Sequence, residues 1–287
     1  MRVSIGIPVY NSARFVAVAI ESILAQTFTD FELVIADNAS TDNSVEVCER
    51  YAAKDSRIRF YRNPQNCGAA GNFNRVFELS SAPYFMWVSS NDYFAPQFLE
   101  KTVPVLDARP DVCIVSPRTR YFHTDVSRFE EVDDDMDITQ DAAVSRFLTL
   151  CERLRINNVM HGLIRRETLL RTALLKPYMS SDNLMVAELA LLGKFAQLPE
   201  PLFYRRMEAE AATIMMTRAQ LTAFYEPRRS GDLPFQTWKR LHGFWSIVRR
   251  APLGFSDRLR MLRFLLQRVY WDRRNLARDC YEVVLGR

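Results

Sequence analysis

Short apolar runs alternate with helical patterns over the first hundred residues of the chain. The runs read "RVSIGIPV", "FELVIA", "IRFY", "YFMWV" and, a little later, "VCIVSP", as is typical of buried strands. Between them, apolar residues recur at helical spacing, for example in "ARFVAVAIESILAQ", "FNRVFELS" and "QFLEKTVPVLDA". This alternation predicts βαβ units and an α/β fold, with a mostly parallel, doubly wound sheet that carries helices on both faces.

Helix start signals give expected boundaries for several other segments. Asn43 followed by Glu46 resembles a capping box at the start of the second helix. Ser181 or Asp182 is expected to cap the helical pattern "NLMVAELALLGKF". The segment "RRETLLRTALL" also has a helical pattern, whereas "RNPQNCGAAGN" is expected to be a loop. From about residue 215, the chain is expected to form arginine-rich helices that prolines divide.

The composition indicates an ordinary soluble globular protein, since 48% of the residues are apolar and 25% are charged. No run of eighteen apolar residues occurs, so we expect no transmembrane helix. The N-terminus has no signal-peptide pattern. The 5 cysteines are scattered without a CxxC pair, which favours free thiols over a zinc site or a disulfide framework. These features favour a cytoplasmic location.

The positive charge of the chain lies in its C-terminal part. Residues 201–287 hold 17 Lys and Arg against 8 Asp and Glu, a net charge of +9, whereas the remainder has a net charge of −5. We therefore expect a first domain over residues 1–210 and a basic helical extension over residues 211–287. The extension could contact the inner face of an anionic membrane peripherally, or pack on the first domain with its arginines in water. Nucleic-acid binding is disfavoured because no recognised module is present.

Polar clusters follow the predicted strands, at the points where ligands bind in parallel sheets. They lie at residues 8–11, 37–38, 63–72 and 89–92. Asp37 can accept hydrogen bonds from a base or a ribose, Tyr10 can stack on a base, and Asp92 can hold Mg²⁺ or Mn²⁺ together with substrate phosphates. Taken singly, each could equally be a loop, core or turn residue. Motifs of other classes are absent, since the chain has no P-loop, GxGxxG, HExxH or GxSxG.

Three blocks of the sequence carry a family resemblance. The block "SIGIPVYNSARFVAVAIESILAQTFTDFELVIADNASTDNS" resembles the N-terminal part of family 2 glycosyltransferases, in which a strand ends in a Pro-x-Tyr-Asn turn and the next strand leads into an acidic loop. The block "NCGAAGNFNRVFELSSAPYFMWVSSNDYFAPQFLE" is similar to the family's next block, and "SSDNLMVAELALLGKFAQLPEPLFYRR" is similar to its acceptor-side block. The resemblance covers about residues 1–210.

This resemblance implies an enzyme with a nucleotide-sugar-binding domain of the GT-A type. It implies inverting transfer of a sugar from a nucleoside diphosphate sugar, expected to be UDP-linked, to a hydroxyl of a glycan or of a lipid-linked acceptor. It assigns Asp182 as the general base and Asp92 as the ligand of an Mn²⁺ or Mg²⁺ ion that bridges to the diphosphate. The implied nucleotide-binding residues are Pro8, Tyr10, Asn11, Asp37, Asn66, Asn72 and Asn91. These roles agree with the chemistry, since the acceptor loses a proton as it attacks and the leaving diphosphate gains charge.

Two departures from the family pattern leave other functions open. The cluster "SSND" at residues 89–92 has one carboxylate where relatives usually have two or three, and the histidine that many relatives have after "YRR" is missing. A non-catalytic relative that binds a nucleotide sugar or a glycan is therefore the alternative. A nucleotidyltransferase is a third possibility, but the N-terminal loop offers only Arg14 for phosphates.

Overall fold

The computed structural model of the protein describes residues 1–208 and 216–284, and the predicted domain boundary at residue 210 lies outside them. Nine strands are found in the described residues: β1 (Val3–Val9), β2 (Phe31–Asp37), β3 (Ile58–Arg62), β4 (Tyr84–Trp87), β5 (Tyr93–Phe94), β6 (Val112–Phe122), β7 (Phe129–Glu131), β8 (Leu163–Arg165) and β9 (Lys194–Arg206). The helices are α1 (Val16–Leu24), α2 (Ser44–Ala52), α3 (Gly68–Glu78), α4 (Phe98–Ala108), α5 (Ala143–Arg153), α6 (Arg166–Leu169), α7 (Ser181–Leu192), α8 (Arg218–Tyr225), α9 (Gln236–Arg250) and α10 (Phe255–Val284). A 3₁₀ turn spans Val159–His161.

The strands form one sheet in the order β3-β2-β1-β4-β8-β6-β9-β5, with β7 paired to β6. The pairs β1–β2, β2–β3, β1–β4 and β6–β9 are parallel, and β8 runs antiparallel between β4 and β6. Side chains of one strand point alternately to the two faces. On β2, Leu33 and Ile35 therefore join one core cluster and Val34 and Ala36 join the other. The predicted doubly wound sheet with helices on both faces is confirmed.

Two predicted helix starts are wrong in detail, because the side chains that were expected to cap α2 and α7 do not do so. Asn43 is the N-cap of α2, but its side chain makes no capping bond, so no capping box forms. Instead, the Asp42 carboxylate accepts a hydrogen bond from the Ser44 N–H at 3.0 Å. Helix α7 is capped by neither Ser181 nor Asp182, because its N-cap is Ser180, whose backbone is left-handed with φ 64°. Asp182 therefore lies in the first turn of α7.

Two predicted boundaries between helix and loop are also corrected. Helix α3 begins at Gly68, inside the segment expected to be a loop, where the Asn66 side chain accepts a hydrogen bond from the Gly68 N–H at 2.8 Å. The helix predicted over "RRETLLRTALL" ends at Leu169. Beyond it, the Thr172 hydroxyl accepts a hydrogen bond from the Leu174 N–H at 3.2 Å, and such a local bond competes with helix continuation.

The C-terminal helices pack on the body of the protein, as one of the two interpretations of the basic tail predicts. The rings of Phe147 on α5, Phe244 on α9 and Phe264 on α10 contact one another edge to face at 5.2 to 6.2 Å between centroids. These side chains belong to the same core cluster as Val34 on β2. Residues before and after position 210 therefore share one core, while the division into two domains stays a prediction. None of the described helices is long and apolar enough to cross a membrane.

Candidate functional site

The carboxyl ends of three parallel strands meet at one edge of the sheet. Val9 at the end of β1 is in register with Asp37 at the end of β2, and Gly6 of β1 is in register with Trp87 at the end of β4. A cavity of about 310 Å³ opens beyond these strand ends. It is bounded by the loop after β1, the start of α3, the loop after β4, the 3₁₀ turn, the start of α7, the end of β9 and the end of α8.

Eight of the nine predicted site residues line this cavity. They are Pro8, Tyr10, Asn11, Asn66, Asn72, Asn91, Asp92 and Asp182. Asp37 does not line it, but it directly precedes Asn38, which does. The structure therefore brings together residues that are as much as 174 positions apart in the chain, while the roles assigned to them stay predictions.

Asp37 is a fully buried carboxylate whose acceptor capacity is only partly used. Its Oδ2 accepts a hydrogen bond from the Ser40 N–H at 3.0 Å and lies 3.8 Å from the Arg62 guanidinium. Its Oδ1 is buried and has no hydrogen-bond partner. An unpaired buried acceptor costs about 1–3 kcal/mol, so a ligand N–H or O–H group that reached this oxygen would be bound favourably.

A cluster of asparagines holds the floor of the cavity in place. The Asn72 amide donates to the Ala36 carbonyl at 2.9 Å and to the Val9 carbonyl at 3.3 Å, which joins the ends of β1 and β2. The Asn38 amide donates to the Asn66 side-chain oxygen at 2.8 Å. Because these bonds orient the amides, Asn66 and Asn72 present fixed surfaces to the cavity.

Asp92 is buried where the loop after β4 meets the end of β9. One of its oxygens accepts a hydrogen bond from the Arg206 N–H at 2.9 Å, and only 2% of the residue is exposed. Burial raises the pKa of Asp92 to about 6, although the charges of Arg205 and Arg206 oppose the increase. Asp92 and Asp182 are the two carboxylates among the described residues that line the cavity.

The groups around Asp92 fit a divalent cation only in part. Ser89, Ser90, Asn91 and Asp92 line the cavity and all carry side-chain oxygen atoms, the kind of ligand that Mg²⁺ and Mn²⁺ prefer. However, the described residues contain no group of three His, Cys, Asp or Glu side chains placed to hold a metal. Such an ion would therefore need phosphate oxygens of a bound nucleotide to complete its coordination.

Asp182 is oriented by a residue from a distant part of the chain. The Asn157 amide donates to the Asp182 Oδ2 at 3.0 Å. The neighbouring Asn158 accepts a hydrogen bond from the Arg205 guanidinium at 2.9 Å, and Arg205 also lines the cavity. This asparagine pair therefore positions one anionic and one cationic group of the site. The two residues stand out in the sequence only as a polar pair before an apolar segment.

His161 is a cavity residue that the sequence did not indicate, since its spacing to the other histidines fits no metal motif. Its Nδ1 lies 3.1 Å from the Trp87 carbonyl, which can only accept, so Nδ1 carries the proton. Its ring packs against Phe203 with 5.1 Å between centroids. Burial lowers the pKa of His161 to about 3, so the imidazole is neutral near pH 7 and its Nε2 is a hydrogen-bond acceptor.

Helix α8, which follows position 210, forms one wall of the cavity through Ala223, Phe224 and Tyr225. Burial, together with the charge of Asp182, raises the pKa of Tyr225 to about 12, so its hydroxyl stays protonated at neutral pH. The end of α8 meets the start of α3 at Gly68, where an added Cβ would lie 2.5 Å from the Tyr225 carbonyl oxygen. The wall therefore depends on a residue without a side chain at position 68.

We expect Gly68→Ala to destabilise the protein by about 1–3 kcal/mol more than Gly231→Ala. Both glycines have a left-handed φ, +76° and +85°, so the backbone strain of an alanine is similar at the two positions. A Cβ at position 231 has no atom within 4 Å, whereas one at position 68 collides with the backbone of α8. Urea denaturation of both variants measures the difference, and equal losses of stability would contradict the contact between α3 and α8.

A family model matches most of the chain. The model described as Glycosyl transferase family 2 matches residues 4–172. Glycosyltransferase GlyG of Streptococcus pneumoniae is 31% identical over 98 residues, which cover 34% of this chain and 33% of that protein. An uncharacterized glycosyltransferase of Nostoc sp. is 28% identical over 294 residues, which cover 96% of this chain and 86% of that protein. The chain thus spans about a third of the first relative's length and most of the second's.

Solved structures with the same fold have low sequence identity to the chain. S. aureus TarS 1-349 in complex with UDP-GlcNAc has a TM-score of 0.68 at 16% identity, with 94% of this chain and 73% of that chain covered. Mannosyltransferase PcManGT from Pyrobaculum calidifontis, in complex with GDP-Man and Mn²⁺, has a TM-score of 0.57 at 16% identity, with 98% and 85% covered. At this level of identity, the likeness establishes the fold alone.

Proposed function

The chain belongs to glycosyl transferase family 2, and we propose that it transfers a sugar from a nucleoside diphosphate sugar to a hydroxyl of a glycan or lipid-linked acceptor, with inversion at the anomeric carbon. The observation that carries the proposal is the cavity at the carboxyl edge of the sheet. Its lining includes two carboxylates from distant parts of the chain, Asp92 and Asp182, and the two cations Arg205 and Arg206.

The nucleoside would bind at the ends of β1 and β2. Tyr10 is 45% exposed at the rim and offers a ring on which a base can stack. Asp37 lies just outside the cavity lining, and its buried, unpartnered Oδ1 would suit a base N–H or a ribose hydroxyl that reached it. The ligands named for the two solved structures are a UDP-linked and a GDP-linked sugar, which supports a nucleotide sugar as donor and leaves the base to the experiment.

The diphosphate would lie between Asp92 and Arg205. The guanidinium of Arg206 is engaged elsewhere, since it donates to the carbonyls of Asn91 and His123 and packs against the Phe122 ring at 4.5 Å. Arg205 is half-buried and is oriented by Asn158, so it is the cation better placed to contact phosphate. Asp92 would hold Mn²⁺ or Mg²⁺, which when bound would neutralise charge on the leaving diphosphate.

Asp182 would act as the general base. In the proposed step, the acceptor oxygen forms a bond to the anomeric carbon while the bond from that carbon to the diphosphate oxygen breaks. The diphosphate leaves with the electron pair, and the hydroxyl proton passes to the Asp182 carboxylate. The hydrogen bond from Asn157 holds this carboxylate in position at the start of α7.

Calorimetry of UDP and GDP with and without Mn²⁺, combined with a donor-hydrolysis assay, tests the proposal. We expect one nucleotide to bind more tightly in the presence of Mn²⁺, because the ion completes its coordination with phosphate oxygens. We also expect slow, Mn²⁺-dependent hydrolysis of the matching nucleotide sugar. Nucleotide binding without a metal increment and without turnover would instead support a non-catalytic relative.

A further inference from the structure

The outward face of α10 is apolar and uncovered. Phe255, Leu259, Leu266 and Tyr270 follow one another at steps of four, seven and four residues, which places them on one side of a helix. They are 81%, 51%, 71% and 63% exposed. The opposite side of α10 is buried in the core, through Met261, Phe264, Leu265 and Leu276. The helix therefore has two apolar faces, of which one has no partner within the described residues.

Exposed apolar side chains are concentrated on this helix. Seven of the sixteen exposed large apolar or aromatic residues in the described part of the chain belong to α10. They are Phe255, Leu259, Leu266, Val269, Tyr270, Trp271 and Tyr281. Isolated exposed apolar residues are common on soluble proteins, but a contiguous stripe rimmed by polar groups marks a contact surface.

Charge is separated across the same helix. Arg263 and Arg274 each lie four residues after an exposed apolar residue, Leu259 and Tyr270, and both arginines are exposed. Arg258, Arg260, Arg273 and Arg278 are exposed as well.

The carboxylates of α10 lie toward the packed side and have partners there. Asp272 forms an ion pair with Arg240 at 3.0 Å. Asp279 accepts a hydrogen bond from the Thr237 N–H at 2.7 Å. The other two, Asp257 and Glu282, are half-buried and form ion pairs with Arg260 and Arg278 of the same helix, at 3.4 and 3.9 Å. The outward face of α10 is therefore both apolar and positively charged.

We propose that the outward face of α10 binds peripherally to a membrane surface rich in anionic lipids. Large apolar and aromatic side chains would enter the boundary between headgroups and acyl chains, and the arginines would pair with anionic headgroups. The helix would lie in the plane of the surface, because its 30 residues include 11 charged ones and it cannot cross a bilayer. This binding does not depend on sugar transfer.

Charge favours lipid over a second copy of the chain on this face. A symmetric contact between two α10 helices would bring the arginines of one face against those of the other, and like charges in an interface are costly. An anionic bilayer instead offers a continuous negative surface that complements the exposed arginines beside the apolar stripe, Arg263, Arg273 and Arg274.

Sedimentation of the full chain with lipid vesicles tests this inference. We expect binding to vesicles of phosphatidylcholine mixed with phosphatidylglycerol, little binding to phosphatidylcholine alone, and weaker binding as the salt concentration rises. The variant with Arg263→Gln and Arg274→Gln should bind about fivefold more weakly for each charge removed. The variant with Phe255→Ser and Leu266→Ser should bind at least about tenfold more weakly.

A matched control carries Leu170→Ser and Arg171→Gln, an exposed leucine and arginine at the end of α6. It should bind vesicles as the wild type does, and circular dichroism checks that all variants are folded. Equal binding to both vesicle types, or an equal loss in the control, would overturn the proposal. The proposal would also be overturned if the chain did not bind vesicles but formed a dimer that Leu266→Ser abolished. That result would identify a second copy of the chain as the partner.

Discussion

Replacing Asp182 with Asn is expected to lower the rate of sugar transfer by about 10²- to 10⁴-fold. An amide cannot take the acceptor proton, whereas its oxygen can still accept the hydrogen bond that Asn157 donates to Asp182. The affinity for the nucleotide should stay close to that of the wild type, because the proposed nucleotide contacts are made by other loops. Initial rates with the donor identified by calorimetry, and calorimetry of the variant, measure the two effects.

Asp257→Asn is a matched control for this substitution. Asp257, like Asp182, is the acidic residue in the first turn of its helix, so both variants lose a similar favourable interaction with the helix dipole. Asp257 does not line the cavity. We expect normal transfer by this control. If Asp182→Asn transferred sugar at the wild-type rate, the assignment of Asp182 as the base would be wrong.

Replacing Asp92 with Asn is expected to abolish the Mn²⁺-dependent increase in nucleotide affinity and to lower transfer by roughly 10²-fold or more. The variant removes the charge that would hold the ion. An Asn side-chain oxygen can still accept the hydrogen bond from the Arg206 N–H, so the junction between the loop after β4 and β9 should persist. Calorimetry with and without Mn²⁺ measures the first effect, and initial rates measure the second.

The free energy of unfolding of Asp92→Asn shows whether a loss of transfer comes from the missing carboxylate or from a failure to fold. The pKa of Asp92 in the folded protein is about 6, above the ordinary value of 3.8. Between these pH values, the folded state binds more protons than the unfolded state, so the free energy of unfolding falls as the pH rises through this window. Asp92→Asn should lack this decline, and its stability relative to the wild type should be greater at pH 7 than at pH 4.

Asp134→Asn is the control for the loss of a carboxylate whose pKa is raised by burial. Burial also raises the pKa of Asp134, but this residue does not line the cavity. The Asp134→Asn protein should therefore retain the Mn²⁺-dependent increase in nucleotide affinity. An Asp92→Asn protein that bound nucleotide with the full Mn²⁺ increment would contradict the assignment of Asp92 as a metal ligand.

The sheet and the location of the site could be predicted because they depend on local patterns. Apolar runs such as "FELVIA" are buried on both faces, and in a parallel sheet their carboxyl ends meet at one edge. Tyr10 and Asp92 follow two such runs, and both line the cavity. The short antiparallel strands β5, β7 and β8 were not predicted, because two or three residues are too few to show a period.

Other parts of the site depend on contacts that no local pattern encodes. Asn157, which orients Asp182, lies 25 residues earlier in the chain. His161 is held at the cavity by the hydrogen bond between its Nδ1 and the Trp87 carbonyl and by the packing of its ring on Phe203. The wall made by α8 exists because Gly68 allows the backbone near Tyr225 to approach α3 closely.

The sequence by itself determined the α/β class, the family and the edge of the sheet at which the candidate cavity lies, since periodicity and strand ends are local properties of the chain. Only the tertiary structure decided which polar residues share the cavity, and which face of the basic tail is packed. Helix α10 has apolar residues on two sides, so its sequence alone cannot tell the core face from the outward one. Packing of Phe264 against Phe147 and Phe244 decides it and leaves Leu266 and Tyr270 exposed.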